Sequence, residues 1–169
     1  MLRSHYDYRK IPHEHKKEHY LMKYLLRLTS HFLIAVLFTF VFASLAHSQF
    51  VLSELSAVNI DITLAARISM SLDDLLGLFP IFTAAIALSL ILGFGVVALI
   101  RKFQPQLTSW LYPAAGAVAM LAMLLAMHPI LDITLIAGAR STLGIIFQSL
   151  AGLMGGWLFM RFRKKVSYS

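Results

Sequence analysis

The stretch Leu75–Ile100, "LLGLFPIFTAAIALSLILGFGVVALI", holds 26 consecutive residues without a charged side chain. At about 1.5 Å per residue a helix of this length exceeds a hydrocarbon core of about 30 Å, so it spans a bilayer with tilt or with a projecting end. Pro80 falls near the start of the span, where a proline costs a helix least. The run ends against Arg101 and Lys102 and is preceded by Asp73 and Asp74. Ser71 with Asp74 three residues on has the spacing of a capping box, and the two aspartates suit a helix N-terminus.

Working outward, three more apolar runs have the same character: 29–50, 110–131 and 141–160. Pro113 falls in the first turn of the third, which Thr108 or Ser109 can cap, and Ser141 or Thr142 can cap the fourth. The 169-residue chain has a mean hydropathy of +0.74 and only 14% charged residues, which is too little polar surface for a soluble domain. The expected fold class is an all-α integral membrane four-helix bundle. A basic, His-rich tail (1–28) precedes the transmembrane domain (29–160), and a short basic tail (161–169) follows it. There are no cysteines, which excludes disulfides, thiolate metal sites and thiol nucleophiles.

The net charge of +7 is explained by topology without nucleic acid. Thirteen of the fifteen basic residues lie before the first span, between the second and third, or after the fourth; only Arg67 and Arg140 lie on the other side. The positive-inside rule therefore places both termini in the cytoplasm. A rival reading makes the first span a signal peptide cut after Ala46, in "ASLAHS", but the polar region ahead of it is long for a signal and an uncleaved anchor is preferred.

Residues 61–64, "DITL", recur at 132–135 in the loops expected on the outer side. Each copy has a histidine before it and an arginine after it, which suggests a duplicated two-helix unit and two parallel repeats. A four-residue match also arises readily by chance in so biased a chain. Between the first span and its DITL copy, "SQFVLSELSAVN" places Phe50, Val51, Leu55 and Val58 on one helical face, as in a short helix lying on the membrane surface.

These features define the candidate outer cluster His47, Asp61, Arg67, His128, Asp132 and Arg140. His with Asp can transfer protons near neutral pH, and paired arginines can clamp an anionic headgroup. The plainer account is that these are polar residues at headgroup depth. In the N-terminal tail His13, His15 and His19 are a weak metal candidate, with a basic tail against anionic lipid as the simpler reading. No cofactor is expected. Gly152 and Gly156, at GxxxG spacing, and Ala115 and Ala119 are the expected helix-packing residues, within one chain or in a homodimer. The phenylalanines and methionines of the spans are expected to face lipid or core.

The segments "LAHSQF", "DDLLGLFP", "YPAAGAVAML" and "IAGARSTLGIIFQSLAGLMGGWLF" resemble a family of small four-span inner-membrane proteins of bacteria with no known activity. The resemblance covers roughly residues 28–162 and implies a four-span fold and a bacterial inner-membrane location, with no functional residue to carry over. Two function classes stay open. The first is a non-enzymatic accessory subunit or small transport-related bundle, partnered by membrane lipids and by a larger complex or a second copy; it is favoured because no span carries an ionisable residue at mid-depth. The alternative is a membrane-embedded enzyme acting on a lipid or lipid-linked anion through the outer His, Asp and Arg groups. No phosphate loop or hydrolase motif supports a sharper assignment.

Overall fold

A computed structural model describes residues 11–57, 63–104, 110–131 and 142–166, with the side chains of 11–17, 54, 55, 57, 128–131 and 164–166 outside the description. The described residues form four helices and no strand: α1 (Ile11–Ala57), α2 (Leu64–Phe103), α3 (Leu111–Leu131) and α4 (Thr142–Val166). Three of them, in α1, α2 and α4, are long and apolar enough to cross a membrane, and α3 is a shorter apolar helix.

The helices form a ring in which each packs against its chain neighbours and α1 closes onto α4. Every interface is antiparallel. Phe40 meets Phe79 and Phe82 while Phe32 meets Phe94, so α2 runs against α1. Along α4, Phe147 meets Phe50 and Phe159 meets Phe32, so α4 also runs against α1. The basic residues Lys23, Arg27, Arg101, Lys102, Arg161 and Arg163 consequently gather at one end of the bundle.

Helix boundaries differ from the sequence reading in three places. The segment after the first span is helical as far as Ala57, where it forms the last turns of α1 instead of a separate surface helix, and Val58 and Asn59 lie outside the described residues. It contains no glycine or proline to interrupt α1, and it has packing partners: Leu52 is 1% exposed and Phe50 packs against Phe147. Helix α2 starts ahead of its expected cap, at Thr63, whose side chain accepts a hydrogen bond from the Ala66 N–H at 3.3 Å. Ser71 instead turns its hydroxyl back to the Arg67 carbonyl at 2.9 Å, and Pro80 lies well inside the helix. Third, α1 extends back to Ile11, so much of the basic tail is helical. The proposed caps Thr108, Ser109 and Ser141 lie outside the described residues.

Small residues set the spacing of the ring. Gly116 of α3 faces the backbone of Gly152, and Gly152 in turn faces Gly116 and Met120. Gly156 lies against Tyr112 and Pro113 of α3, and Gly155 against Thr39 and Ala35 of α1. Across the α2–α3 interface a Cβ on Gly93 would sit 3.0 Å from the Ala119 side chain and 3.1 Å from the Ala115 carbonyl oxygen. The GxxxG face of α4 is thus occupied within the chain. In lipid there is little hydrophobic drive between helices, so this proximity supplies dispersion contact that bulkier residues would prevent.

The closeness of α3 and α4 seats a cluster to which every helix contributes one ring: Phe32, Phe94, Tyr112 and Phe159. Phe94 stacks on Phe159 at 4.7 Å, and Tyr112 lies 5.7 Å from Phe94 and 5.4 Å from Phe159. Phe32 meets Phe94 and Phe159 edge-on at 6.3 and 6.4 Å. These offset and T-shaped geometries are the favoured ones, each adding about 0.5–1.5 kcal/mol beyond area burial.

Two glycines test this account. At Gly95 an added Cβ meets nothing within 4 Å, whereas at Gly116 it meets the Gly152 carbonyl. Gly95→Ala is expected to leave stability unchanged or raise it by up to about 1 kcal/mol through helix propensity. Gly116→Ala is expected to destabilise by about 1–3 kcal/mol through overpacking. Thermal unfolding in detergent reads both, and equal behaviour of the two variants would contradict the close approach of α3 and α4.

Candidate functional site

The sequence expectation that His47 ends a span holds an unexpected consequence: the side chain is only 6% exposed. It belongs to a run of polar residues on α1, with Thr39, Ser44 and Ser48, all of them buried. Thr39 satisfies its hydroxyl on the Ala35 carbonyl one turn back, at 2.8 Å. Ser48 has two acceptors within reach, the Ser44 carbonyl at 3.1 Å and Asp74 Oδ2 of α2 at 2.8 Å. A hydroxyl has one proton, and the shorter distance and the carboxylate charge both favour Asp74 as its acceptor.

Helix α4 adds Gln148, which is fully buried and whose amide oxygen and nitrogen have no hydrogen-bond partner among the described residues. Its level follows from the neighbouring contacts. Phe147 meets Phe50, and a little over two turns further along Gly155 meets Thr39, so Gln148 enters the bundle opposite the Ser44 to Ser48 segment. The Ser44 hydroxyl is likewise without a partner there. The result is a polar layer at the end of the bundle remote from the basic residues, made by α1, α2 and α4.

Of the sequence-derived outer cluster, the structure describes the side chains of His47 and Arg67. His47 lies in this layer. Arg67 lies near the start of α2, where its guanidinium donates to the Ser56 hydroxyl at 3.4 Å and ties the ends of α1 and α2 together. Asp61, Asp132 and Arg140 lie outside the described residues; His128 belongs to α3 but its side chain does too. Of the metal candidate, His19 is exposed on α1, and the side chains of His13 and His15 are outside the description. No group of three or more metal-binding side chains is present among the described residues.

Sequence reasoning missed Asp74, Ser48, Ser44 and Gln148 as one group. The spacing from Ser71 reads Asp74 as a capping residue, although a carboxylate beside a span also fits an interhelical partner. Gln148 had a legible signal: it is a large amide on the glycine- and alanine-rich face of α4, and polar residues in such spans generally face the bundle interior. Chemically the layer offers hydroxyl, carboxylate and amide groups for hydrogen bonding. It does not resemble a serine nucleophile activated by an imidazole, because Ser48 directs its proton toward Asp74.

Fold, hydropathy and this interior layer define a multi-pass helical membrane protein. No protein-family model, curated protein or solved structure matches the chain.

The Ser48 to Asp74 bond predicts a measurable coupling. Ser48→Ala is expected to cost about 1–3 kcal/mol, because it removes a donor from a partly buried carboxylate. Asp74→Asn is expected to cost less, since an amide oxygen still accepts. A double-mutant cycle read by thermal unfolding should give non-additive effects, and strict additivity would mean that the two groups do not meet.

Proposed function

We propose that this protein is a non-enzymatic membrane bundle of the bacterial inner membrane, an accessory subunit or small transport-related component, with both termini in the cytoplasm. The observation that carries this reading is the ring cluster Phe32, Phe94, Tyr112 and Phe159, to which all four helices contribute. It fills the interior toward the basic end with packed side chains, so the polar layer at the other end does not continue as a conducting path. A bundle of this kind is suited to pack beside another membrane protein more than to transport alone. The distribution of basic residues supports the orientation, since the end that carries most of them is the one retained in the cytoplasm.

Purified protein reconstituted into liposomes is expected to produce neither ion flux nor turnover of the lipids, and gentle extraction from its native membrane is expected to retain a stoichiometric protein partner. Flux or lipid turnover by the isolated chain would overturn the reading. The orientation is tested separately in this cysteine-free chain. Ala65→Cys is expected to react with an impermeant thiol reagent in intact cells, and Gln104→Cys only after permeabilisation. The reverse pattern would invert the bundle.

A further inference from the structure

We propose that the part of α1 ahead of Leu28, with the basic end of the bundle beside it, is a docking surface for a cytoplasmic helix of another protein, apolar along one face and acidic at the end that meets the bundle. The proposal rests on the accessory-subunit reading and names the kind of partner that reading requires. At about 1.5 Å per residue the uncharged run 29–50 is about 33 Å long and already fills a hydrocarbon core of about 30 Å. Leu25 and Leu21 stand about 6 and 12 Å beyond Thr29, so Leu25 reaches the edge of a headgroup layer about 5–7 Å deep and Leu21 passes it. A tilt of about 20° shortens these distances only slightly.

Little of the protein covers this part of α1. Every residue from Glu18 to Arg27 is exposed, and Leu28 is the first whose side chain packs against the core. Leu21, Leu25, Leu28 and Phe32 follow one another at four-, three- and four-residue spacing, which keeps them on one helical face. Leu28 and Phe32 turn that face onto the bundle, and Leu21 and Leu25 carry it past the bundle's end, 60% and 54% exposed. Such a seam is at home in lipid, whereas in water it calls for a partner. Sharp kinks arise at proline or glycine, and between Pro12 and Ala57 the helix has neither, so it leads the seam away from the bilayer.

Charge selects the occupant. The described cations at this end are Lys23, Arg27, Arg101, Lys102, Arg161 and Arg163, against Glu18 as the single described anion there. Arg163 borders the seam, since it lines one groove with Tyr24, Leu28 and His31. A second copy fits poorly. Chains inserted in the same orientation bring their α1 helices together in parallel, which sets Glu18, on the face of Leu21 and Leu25, against its own counterpart. Residues 1–10 fit no better, because they carry Arg3, Arg9 and Lys10 against Asp7. A partner helix with carboxylates at its bundle-proximal end meets Arg163 through charge-assisted hydrogen bonds while its apolar face covers Leu21 and Leu25.

The test uses the full-length protein in phosphatidylcholine nanodiscs and two fluorescent three-heptad peptides with the same leucine ridge, one flanked by glutamates and the other by lysines. Fluorescence anisotropy is expected to show the glutamate peptide binding at least tenfold more tightly than the lysine peptide. Leu21→Ser combined with Leu25→Ser is expected to weaken that binding at least tenfold, and Arg163→Gln to weaken it several-fold. Both leucines are exposed, so thermal unfolding of the double variant should match the unchanged protein. Leu26→Ser, at the same depth on another face and 65% exposed, is expected to change little. No preference for the glutamate peptide, undiminished binding by the leucine double variant, or an equal loss with Leu26→Ser would overturn the proposal. The accessory-subunit reading would survive each of these results, because flux and lipid turnover test it separately. An environment-sensitive fluorophore on Leu21→Cys is expected to report water in both phosphatidylcholine and phosphatidylglycerol nanodiscs. A lipid-like signal in phosphatidylglycerol would assign the seam to the membrane surface, and cross-linking of Leu21→Cys to itself would assign it to a second copy; either would overturn the proposal.

Discussion

The close approach of α3 and α4 at Gly116, Gly152 and Gly156 is the constraint on which the rest of the bundle depends. With backbone facing backbone there, the first turn of α3 is brought against α4, and the Tyr112 carbonyl lies over Gly156. Phe159, less than one turn beyond Gly156, then meets the Tyr112 ring. That pair is the platform on which Phe94 of α2 stacks and to which Phe32 of α1 closes. A wider α3–α4 spacing would separate Tyr112 from Phe159 and with it the contact through which the other two helices join. In a bilayer, where apolar side chains are equally at home in lipid, such geometric fit replaces the expulsion of water as the cohesive force.

Much of this was legible in the sequence, for identifiable reasons. Uncharged runs of sufficient length set the four helices, because a bilayer forces the backbone to satisfy its hydrogen bonds within each segment. GxxxG spacing singled out a face of α4, and Pro113 fits only a first turn. The helix ends were less legible. Thr63 does not stand out as the start of α2 because Ser71 and Asp74, nearer the uncharged run, offer a capping pair, and the turns ahead of them are held against α1 through Ser56. The ring cluster was also missed: each helix contributes a single aromatic, so no local pattern marks it. Gly116 lacked a second glycine at helical spacing on α3 and so escaped the motif that flagged its partner.

The two ends of the bundle handle polar groups differently. At the basic end the arginines lie over an aromatic ring, which lets a cation remain near the apolar core while its donors reach headgroup depth. At the other end the polar groups are drawn inside. Of the buried hydroxyls there, Thr39 returns to the Ala35 carbonyl of its own helix, which settles the group but links nothing. Ser48 is different because it also reaches Asp74 across an interface.

That difference bears on how α1 and α2 find their register. Their remaining contacts are largely between aromatic and aliphatic side chains, and Phe40 already meets both Phe79 and Phe82, one turn apart, at 5.4 and 6.1 Å. Apolar contacts of this kind change little when one helix slides by a turn, since a similar ring or methyl group arrives in place of the last. The hydrogen bond from Ser48 to Asp74 does not survive such a slide. A one-turn shift, about 5.4 Å, would carry the hydroxyl out of reach and leave the partly buried carboxylate without this donor. The polar layer therefore penalises the alternatives more than it stabilises the observed packing, as a single buried polar residue does when it fixes the register of a coiled coil. Glycine and aromatic contacts set how closely the helices pack, and the Ser48 to Asp74 bond, with the Arg67 to Ser56 contact near the helix ends, sets which turn of α1 lies beside which turn of α2.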